Sequence, residues 1–402
     1  MTTSIPNQPK PPTKPESLSD PPNSPDSAPP AAAGKEPMMN TVTPRIFIAA
    51  TRQNDGKTTV SLGLLGALRR FYPRVGYIKP VGQRFVEIDA QNIDEDTVLM
   101  DQVYQLNCPL LDMSPIAVVP DFTRKYLQSA NNEALVKKIT RAFDRVAWEK
   151  DFVVCEGSGH GGVGSVFDLS NAQVAKILHA KVIIVSQGGI GKPIDEVYLN
   201  QALFEREGVE IIGVILNKVL PDKMDFVTEF ARRGLKRKGL ELLGVVPFQG
   251  ILSRPTMELI QEELKAECLN AGASGQRVVD SVMIGAMGVQ NAIRFFKRGV
   301  LVITPGDRVD ILLAAATSAS GPDQQLAGVI LTGEFQPQPP LTRIVENLPF
   351  PVLRVQEEIY EVASTVHSLI VKTRAADTEK ISVIRDLIAT HVDVNKILRA
   401  LQ

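Results

Sequence analysis

The run RIFIAA (45–50) passes without a break into the loop TRQNDGKTT (51–59), and the loop passes into VSLGLLGAL (60–68). A short apolar run with no polar alternation reads as a strand buried on both faces. Val60, Leu64, Ala67, Leu68 and Phe71 then fall on one face of a helix. A Gly-Lys-Thr loop between a strand and a helix is the setting in which backbone N–H groups and a partly positive helix N-terminus favour phosphate oxygens. Within Asn54, Asp55, Gly56, Lys57, Thr58 and Thr59, Lys57 would reach the outer phosphates and the Thr58 hydroxyl would ligate Mg²⁺. The usual first glycine is missing. Thr51 stands where the commonest spacing puts it, and Ala50 where a loop one residue longer would. The competing reading is an ordinary strand-to-helix turn with a chance Gly-Lys-Thr.

The same alternation continues along the chain. RVGYIKPV, DFVVCEG, KVIIVSQ, IIGVILNKV and LLGVVPF read as further strands separated by amphipathic segments. Such repetition implies an α/β fold with a mainly parallel sheet and helices on both faces, and the Gly-Lys-Thr loop at its first strand makes that a P-loop NTPase sheet. A smaller α/β unit follows, with strands in SVMIGAM, GVLVITPGDR, LAGVILTG and FPVLRV. The expected organisation is a Pro/Ser-rich disordered tail over 1–42, a P-loop domain over 43–250, a second domain over 251–372 and a helical segment over 373–402.

Composition narrows the function. The 402 residues carry 44 basic and 45 acidic side chains, so nothing marks a nucleic-acid or membrane-surface protein. No apolar run reaches the roughly 18 residues a membrane span needs, and the start MTTSIPNQPK has no signal-peptide core. Cys108, Cys155 and Cys268 lack metal-type spacing and fit a reducing compartment. A cytoplasmic protein is expected.

Further polar residues sit at strand ends. Glu156 closes FVVC before GSGHGG, where a carboxylate faces the crevice at the carboxyl ends of parallel strands and could hold Mg²⁺; alternatively it lies in a surface turn. His160 shares that glycine-rich loop and reads as a hydrogen-bonded loop residue or a catalyst. Lys79, in YIKPVG, could neutralise phosphate or be a solvated strand-end lysine. NIDEDTVLMD offers Asp94, Asp96 and Asp101 as one Mg²⁺ ligand or as helix cap and solvated face. Asn217, in GVILNKV, carries an amide that matches an adenine edge. In the second unit Asp307 can cap the helix RVDILLAAATSA, and Arg308 could bind an anion at its start.

ATRQNDGKTTVSLGLLGAL, YIKPVG, CEGSG and ILNKV, in that order, resemble the dethiobiotin synthetase-like ATPases, a group that includes the synthetase domains of cobyrinic acid a,c-diamide synthase. The resemblance implies ATP and Mg²⁺, with Gly56, Lys57, Thr58 and Thr59 around phosphate and Lys79 facing phosphate and substrate. It further implies Asp96 and Glu156 at the acidic Mg²⁺ positions and Asn217 at the base. Asn54 departs from that pattern, where the synthetases carry glutamate, and their substrate-binding positions are not recognisable. MIGAMGVQNAIRFFKRGVLVITPGDRVDILLAAATSASG with GVILTGEF resembles the DRTGG domain, although only Asp307 and Arg308 match the name-giving run. This pairing resembles the N-terminal regulatory part of long bacterial phosphate acetyltransferases, without their acetyltransferase domain. The implied function is an ATP/Mg²⁺-binding regulator with weak Mg-dependent ATPase activity, a small-molecule effector or dimer contact at the second unit, and a homo-oligomeric state. The alternatives are an ATP-dependent ligase that activates a carboxylate or carbamate, and a scaffold with an inactive loop.

Overall fold

The computed structural model describes residues 40–402 except 271, 272, 274, 319–325 and 336. The expected tail lies, up to residue 39, outside the described residues. Its last residues differ from the expectation. The Asn40 amide donates to Asp144 Oδ1 at 2.6 Å, and Arg45 Nη1 donates to the Asn40 carbonyl at 2.6 Å, so the chain is fastened to the body before the first strand.

Six strands form the first sheet: β1 (Arg45–Ala50), β2 (Val75–Ile78), β3 (Phe152–His160), β4 (Lys181–Gln187), β5 (Ile211–Val219) and β6 (Leu242–Pro247). All pairings are parallel, in the order β6-β5-β4-β1-β3-β2. The apolar runs of the sequence are the interiors of these strands; every residue of β1 is buried because helices cover both faces. From β1 the chain moves one way to β2, returns to β3 and then crosses to β4. The crevice at this reversal opens at the carboxyl ends of β1 and β3, where such sheets bind ligands.

Helix α1 (Lys57–Leu68) follows β1 directly. The sequence predicts one apolar face for it. The structure buries it nearly all round, and it ends before Phe71, which is 48% exposed. The second cover comes from the end of the chain, beyond the second unit. A hairpin of Phe85–Ile88 and Gln91–Asp94 leads into α2 (Glu95–Tyr104). The second sheet comprises β7 (Glu267–Cys268), β8 (Ser281–Ile284), β9 (Val300–Pro305), β10 (Gly328–Thr332) and β11 (Val352–Arg354), ordered β7-β11-β10-β9-β8. Only the short β7 runs antiparallel. α3 (Val309–Ser318) helps cover one face, Ile311 sharing a core with Val302 and Leu331, and α4 (Ile359–Ser368) helps cover the other, Val362 sharing a core with Leu301 and Leu353.

After α4, residues 369–373 lead back to the first unit, where α5 (Thr378–His391) and α6 (Val394–Leu401) pack. Ile381, Ile384, Leu387, Ile388 and Ile397 join the core built on the first sheet. The crossing with α1 is close because residue 63 is glycine: a Cβ there would lie 2.2 Å from Ile388 Cγ1. Val392 then bridges to Gly244 along edge strand β6, which protects that edge from pairing with other chains. No helix among the described residues is long and apolar enough to cross a membrane.

Candidate nucleotide site

The loop 51–56 turns between β1 and α1 without a leading glycine because side chains close it from beneath. Thr51, 4% exposed, donates its hydroxyl to Asp55 Oδ2 at 2.6 Å and lies 3.0 Å from Ser186 Oγ. The Arg52 amide donates to the same Asp55 oxygen at 2.7 Å, and the Thr51 amide donates to the Val185 carbonyl at 2.9 Å. Asp55 is fully buried. Its carboxylate is therefore a clasp inside the loop. Gly56 takes φ +99°, and a Cβ there would sit 2.1 Å from Asn217 Nδ2. Glycine is required on both counts.

Asn217 closes the loop from the end of β5. Its Nδ2 donates to the Asp55 carbonyl at 2.9 Å, and its Oδ1 accepts from the Lys218 amide at 2.9 Å. Lys218 Nζ donates to the Asn54 carbonyl at 2.8 Å. The Asn217 amide is thus engaged with the loop, whereas the sequence reading assigned it to an adenine edge.

Above the loop lies a cleft of about 530 Å³, a size suited to a small-molecule ligand. Asn54, Gly56, Lys57, Thr58 and Thr59 line it together with Lys79, Asp94, Asp96 and Glu156. Thr58 Oγ1 donates to Glu156 Oε1 at 3.0 Å, and the buried Tyr77 hydroxyl donates to Glu156 Oε2 at 3.1 Å. Lys57 Nζ donates to the Gly159 carbonyl at 2.8 Å. Burial pushes Lys57 down to about 8, against the pull of Glu156, with Lys79 adding to the fall.

Lys79 is buried among carboxylates: it pairs with Asp96, with Asp94 Oδ1 at 3.2 Å and with Glu156 Oε1 at 3.6 Å. Burial opposes its charge, but Asp96, Asp94 and Glu156 outweigh that and raise its pKa. The solvated strand-end alternative for Lys79 is therefore excluded. Asp94 caps α2, its Oδ1 accepting from the Asp96 amide at 3.0 Å, and burial lifts its carboxyl to about 6. Burial also works to raise Asp96, but Lys79 and then Lys372 hold its carboxyl below the usual range.

The remaining candidates lie elsewhere. The Asp101 carboxylate accepts from the Leu106 amide at the end of α2, at 3.3 Å. His160 is exposed, and its Nδ1 accepts from the Gly162 amide at 3.2 Å. In the second unit Arg308 is occupied. It grips Asp310 through Nε at 2.8 Å and Nη2 at 2.9 Å, and donates to the carbonyls of Gly285 and Met287. Asp307 is exposed and accepts from Val309 through its backbone carbonyl. Sequence reasoning missed the Tyr77 contact, the Asp55 clasp and Lys218. The buried run VGYI contained the only signal for Tyr77, since a buried phenol usually finds a partner.

Among the described residues, no group of three or more metal-type side chains converges to hold an ion unaided. This donor set still fits Mg²⁺, which commonly takes one or two carboxylates plus phosphate oxygens and waters. Thr58 touches Glu156, and lies close enough to Asp96 to favour its charge.

The parallel sheet, its phosphate-loop turn and the smaller sheet that follows along the chain define a P-loop nucleotide-binding unit followed by a second α/β unit. The chain belongs to the AAA domain family, which matches residues 44–256, and residues 259–369 match the DRTGG domain. The phosphate acetyltransferase of Pseudomonas aeruginosa is 31% identical over 364 residues, which cover 86% of this chain and 50% of that protein. That of Nitratidesulfovibrio vulgaris is 27% identical over 371 residues, 88% of this chain and 51% of that protein. The chain thus spans about half the length of the curated relatives it matches. Among solved structures, the septum site-determining protein MinD of Pyrococcus horikoshii, complexed with Mg-ADP, is 18% identical at a TM-score of 0.34, covering 52% of this chain and 83% of that one. A likeness that low carries no functional argument.

Proposed function

We propose that this protein binds ATP with Mg²⁺ in the cleft above residues 51–59, hydrolyses it slowly at most, and acts as a regulator. The observation that carries the reading is the meeting of Lys57, Thr58, Glu156 and Lys79 in one buried crevice at the carboxyl ends of β1 and β3. Lys57 would leave the Gly159 carbonyl for the outer phosphates. Thr58 and Glu156, with Asp96 alongside, would hold the metal, and the metal would neutralise phosphate charge. Tyr77 keeps one Glu156 oxygen fixed, while the other faces Thr58 and Lys79. Lys79 answers the negative charge that Asp94 and Asp96 bring to the site. Asn54 and Asp55 contribute through the backbone of the loop.

The regulatory part of the reading rests on the second unit. Around Asp307 and Arg308 it presents no free nucleophile among the described residues, and Arg308 is engaged with Asp310 and backbone carbonyls. A role in effector binding or self-association, within a cytoplasmic homo-oligomer, suits it better than chemistry does. The second reading is the ATP-dependent carboxylate- or carbamate-activating ligase. It is favoured by the buried Lys79, a cation positioned to face an acceptor carboxylate.

The test is calorimetric titration of Mg-ATP into wild type and Lys57→Ala. The variant should bind roughly tenfold or more weakly, since charge-assisted hydrogen bonds are worth about 1.5–3 kcal/mol. Equal affinities would overturn the reading. Rapid ATP turnover that depends on diaminopelargonic acid and bicarbonate would favour the ligase.

A further inference from the structure

One part of the cleft's wall does not come from the first unit's sheet. Residues 369–373, the stretch between α4 of the second unit and α5, lie along it, and Lys372 and Thr373 line the cleft with Lys57, Thr58, Lys79 and Asp96. Lys372 Nζ pairs with Glu95 Oε2 at 2.6 Å, across 277 residues of sequence. It lies near enough to Asp96 to stabilise that carboxylate's charge. Both partners are about one-third exposed, 33% for Lys372 and 38% for Glu95. An ion pair in contact with solvent is worth little as a strut, so a stronger anion entering the cleft can take the lysine at small cost. The stretch is tied down beyond its C-terminal end. Behind it Arg374 pairs with Glu262, and Lys380 Nζ donates to the Arg254 carbonyl at 2.9 Å. Lys372 is therefore held at the cleft mouth while its ammonium can exchange partners.

We propose that Lys372 is a phosphate-binding side chain of the nucleotide cleft, contributed in cis by the segment that leaves the second unit and kept ready by Glu95. This rests on the nucleotide reading and adds to it a physical route between the units. Polyphosphate that captures Lys372 also fixes residues 369–373, and these continue directly from α4. Occupancy of the first unit then changes the order of the second, and the coupling must run equally in reverse.

The experiment compares Mg-ATP binding to the full chain in wild type, Lys372→Met, Lys372→Arg and Glu95→Gln. Lys372→Met should bind about five- to tenfold more weakly, because one part-exposed charge-assisted contact is lost. Lys372→Arg should keep most of the affinity. Glu95→Gln, which frees the lysine, should bind as well as wild type or better. Hydrogen exchange should show ATP protecting residues 359–373 in wild type and not in Lys372→Met. Equal weakening by Lys372→Met and Glu95→Gln would make the pair a structural strut and overturn the proposal, as would undiminished binding by Lys372→Met. Failure of wild type to bind Mg-ATP would instead overturn the nucleotide reading, and this proposal with it.

Discussion

Lys57 shows how a single residue carries a testable charge state. Its ammonium is buried against the Gly159 carbonyl, and burial brings it down to about 8. Without ligand it is charged below that pH and progressively neutral above it. A polyphosphate favours the charged form, so binding near pH 8 must draw a proton onto the lysine. We expect uptake of roughly half a proton per ATP bound at pH 8, falling toward zero at pH 6.5, from the ordinary linkage of proton and ligand binding. Affinity should decline as pH rises above 8. Calorimetry in buffers of different ionisation enthalpy measures this directly, and the uptake should vanish in Lys57→Ala. Asp94, lifted to about 6, is already ionised at pH 8 and does not contribute there. The same scale accounts for the missing first glycine. Thr51 faces inward to Asp55 and Ser186, away from the cleft, so its side chain supports the turn that a glycine would otherwise permit.

At the scale of elements, α1 joins the loop to the rest of the molecule. Its first turn holds Lys57 and Thr58, and one turn further Gly63 lets α5 lie against it. Gly63→Ala should therefore destabilise the protein despite alanine's better helix propensity. The new methyl meets Ile388 Cγ1 at 2.2 Å and Ile388 Cβ at 2.6 Å, and overpacking of this kind costs about 1–3 kcal/mol. Ile388→Ala alone opens a cavity and should cost about 2–5 kcal/mol. The double variant should be less unstable than the sum of the two, because each change relieves the other. Chemical denaturation of the four proteins checks this, and strict additivity would show that the helices do not meet there. The amphipathic pattern 60–71 was legible in the sequence, but the second buried face was not. Its cover is supplied by residues more than three hundred positions away.

At the scale of the whole molecule, the chain closes on itself. The first unit's core includes Ile381, Ile384, Leu387, Ile388 and Ile397 from the last 25 residues. Each fully buried side chain of this size contributes about 1.5–3 kcal/mol, of the same order together as the stability of an entire domain. A fragment of residues 40–250 should therefore fail to give a cooperative melt, whereas 40–402 should melt cooperatively. Adding the peptide 374–402 to the fragment should restore structure. Circular dichroism with thermal melts decides the matter, and a stable cooperative 40–250 fragment would refute it. The boundary expected at residue 250 rests on composition and turn signals, and those signals are local and say nothing of a segment that returns.

The sequence by itself determined the elements and their kind. Short Val/Ile runs bounded by turn signals read as buried strands, and Gly-Lys-Thr between strand and helix marks an anion-binding turn; Glu156, expected at a strand tip, instead lies within β3. The strand runs and the turn are short-range consequences of periodicity and backbone chemistry. Only the tertiary structure decided which side chains meet. Thr58 reaches Glu156 across 98 residues, Tyr77 reaches it across 79, and Lys372 reaches Glu95 across 277. Such meetings depend on strand order, on β3 inserting beside β1, and on the chain's return through α5. No local pattern encodes them, because the energy that fixes them comes from burying a shared core whose parts lie far apart in the chain.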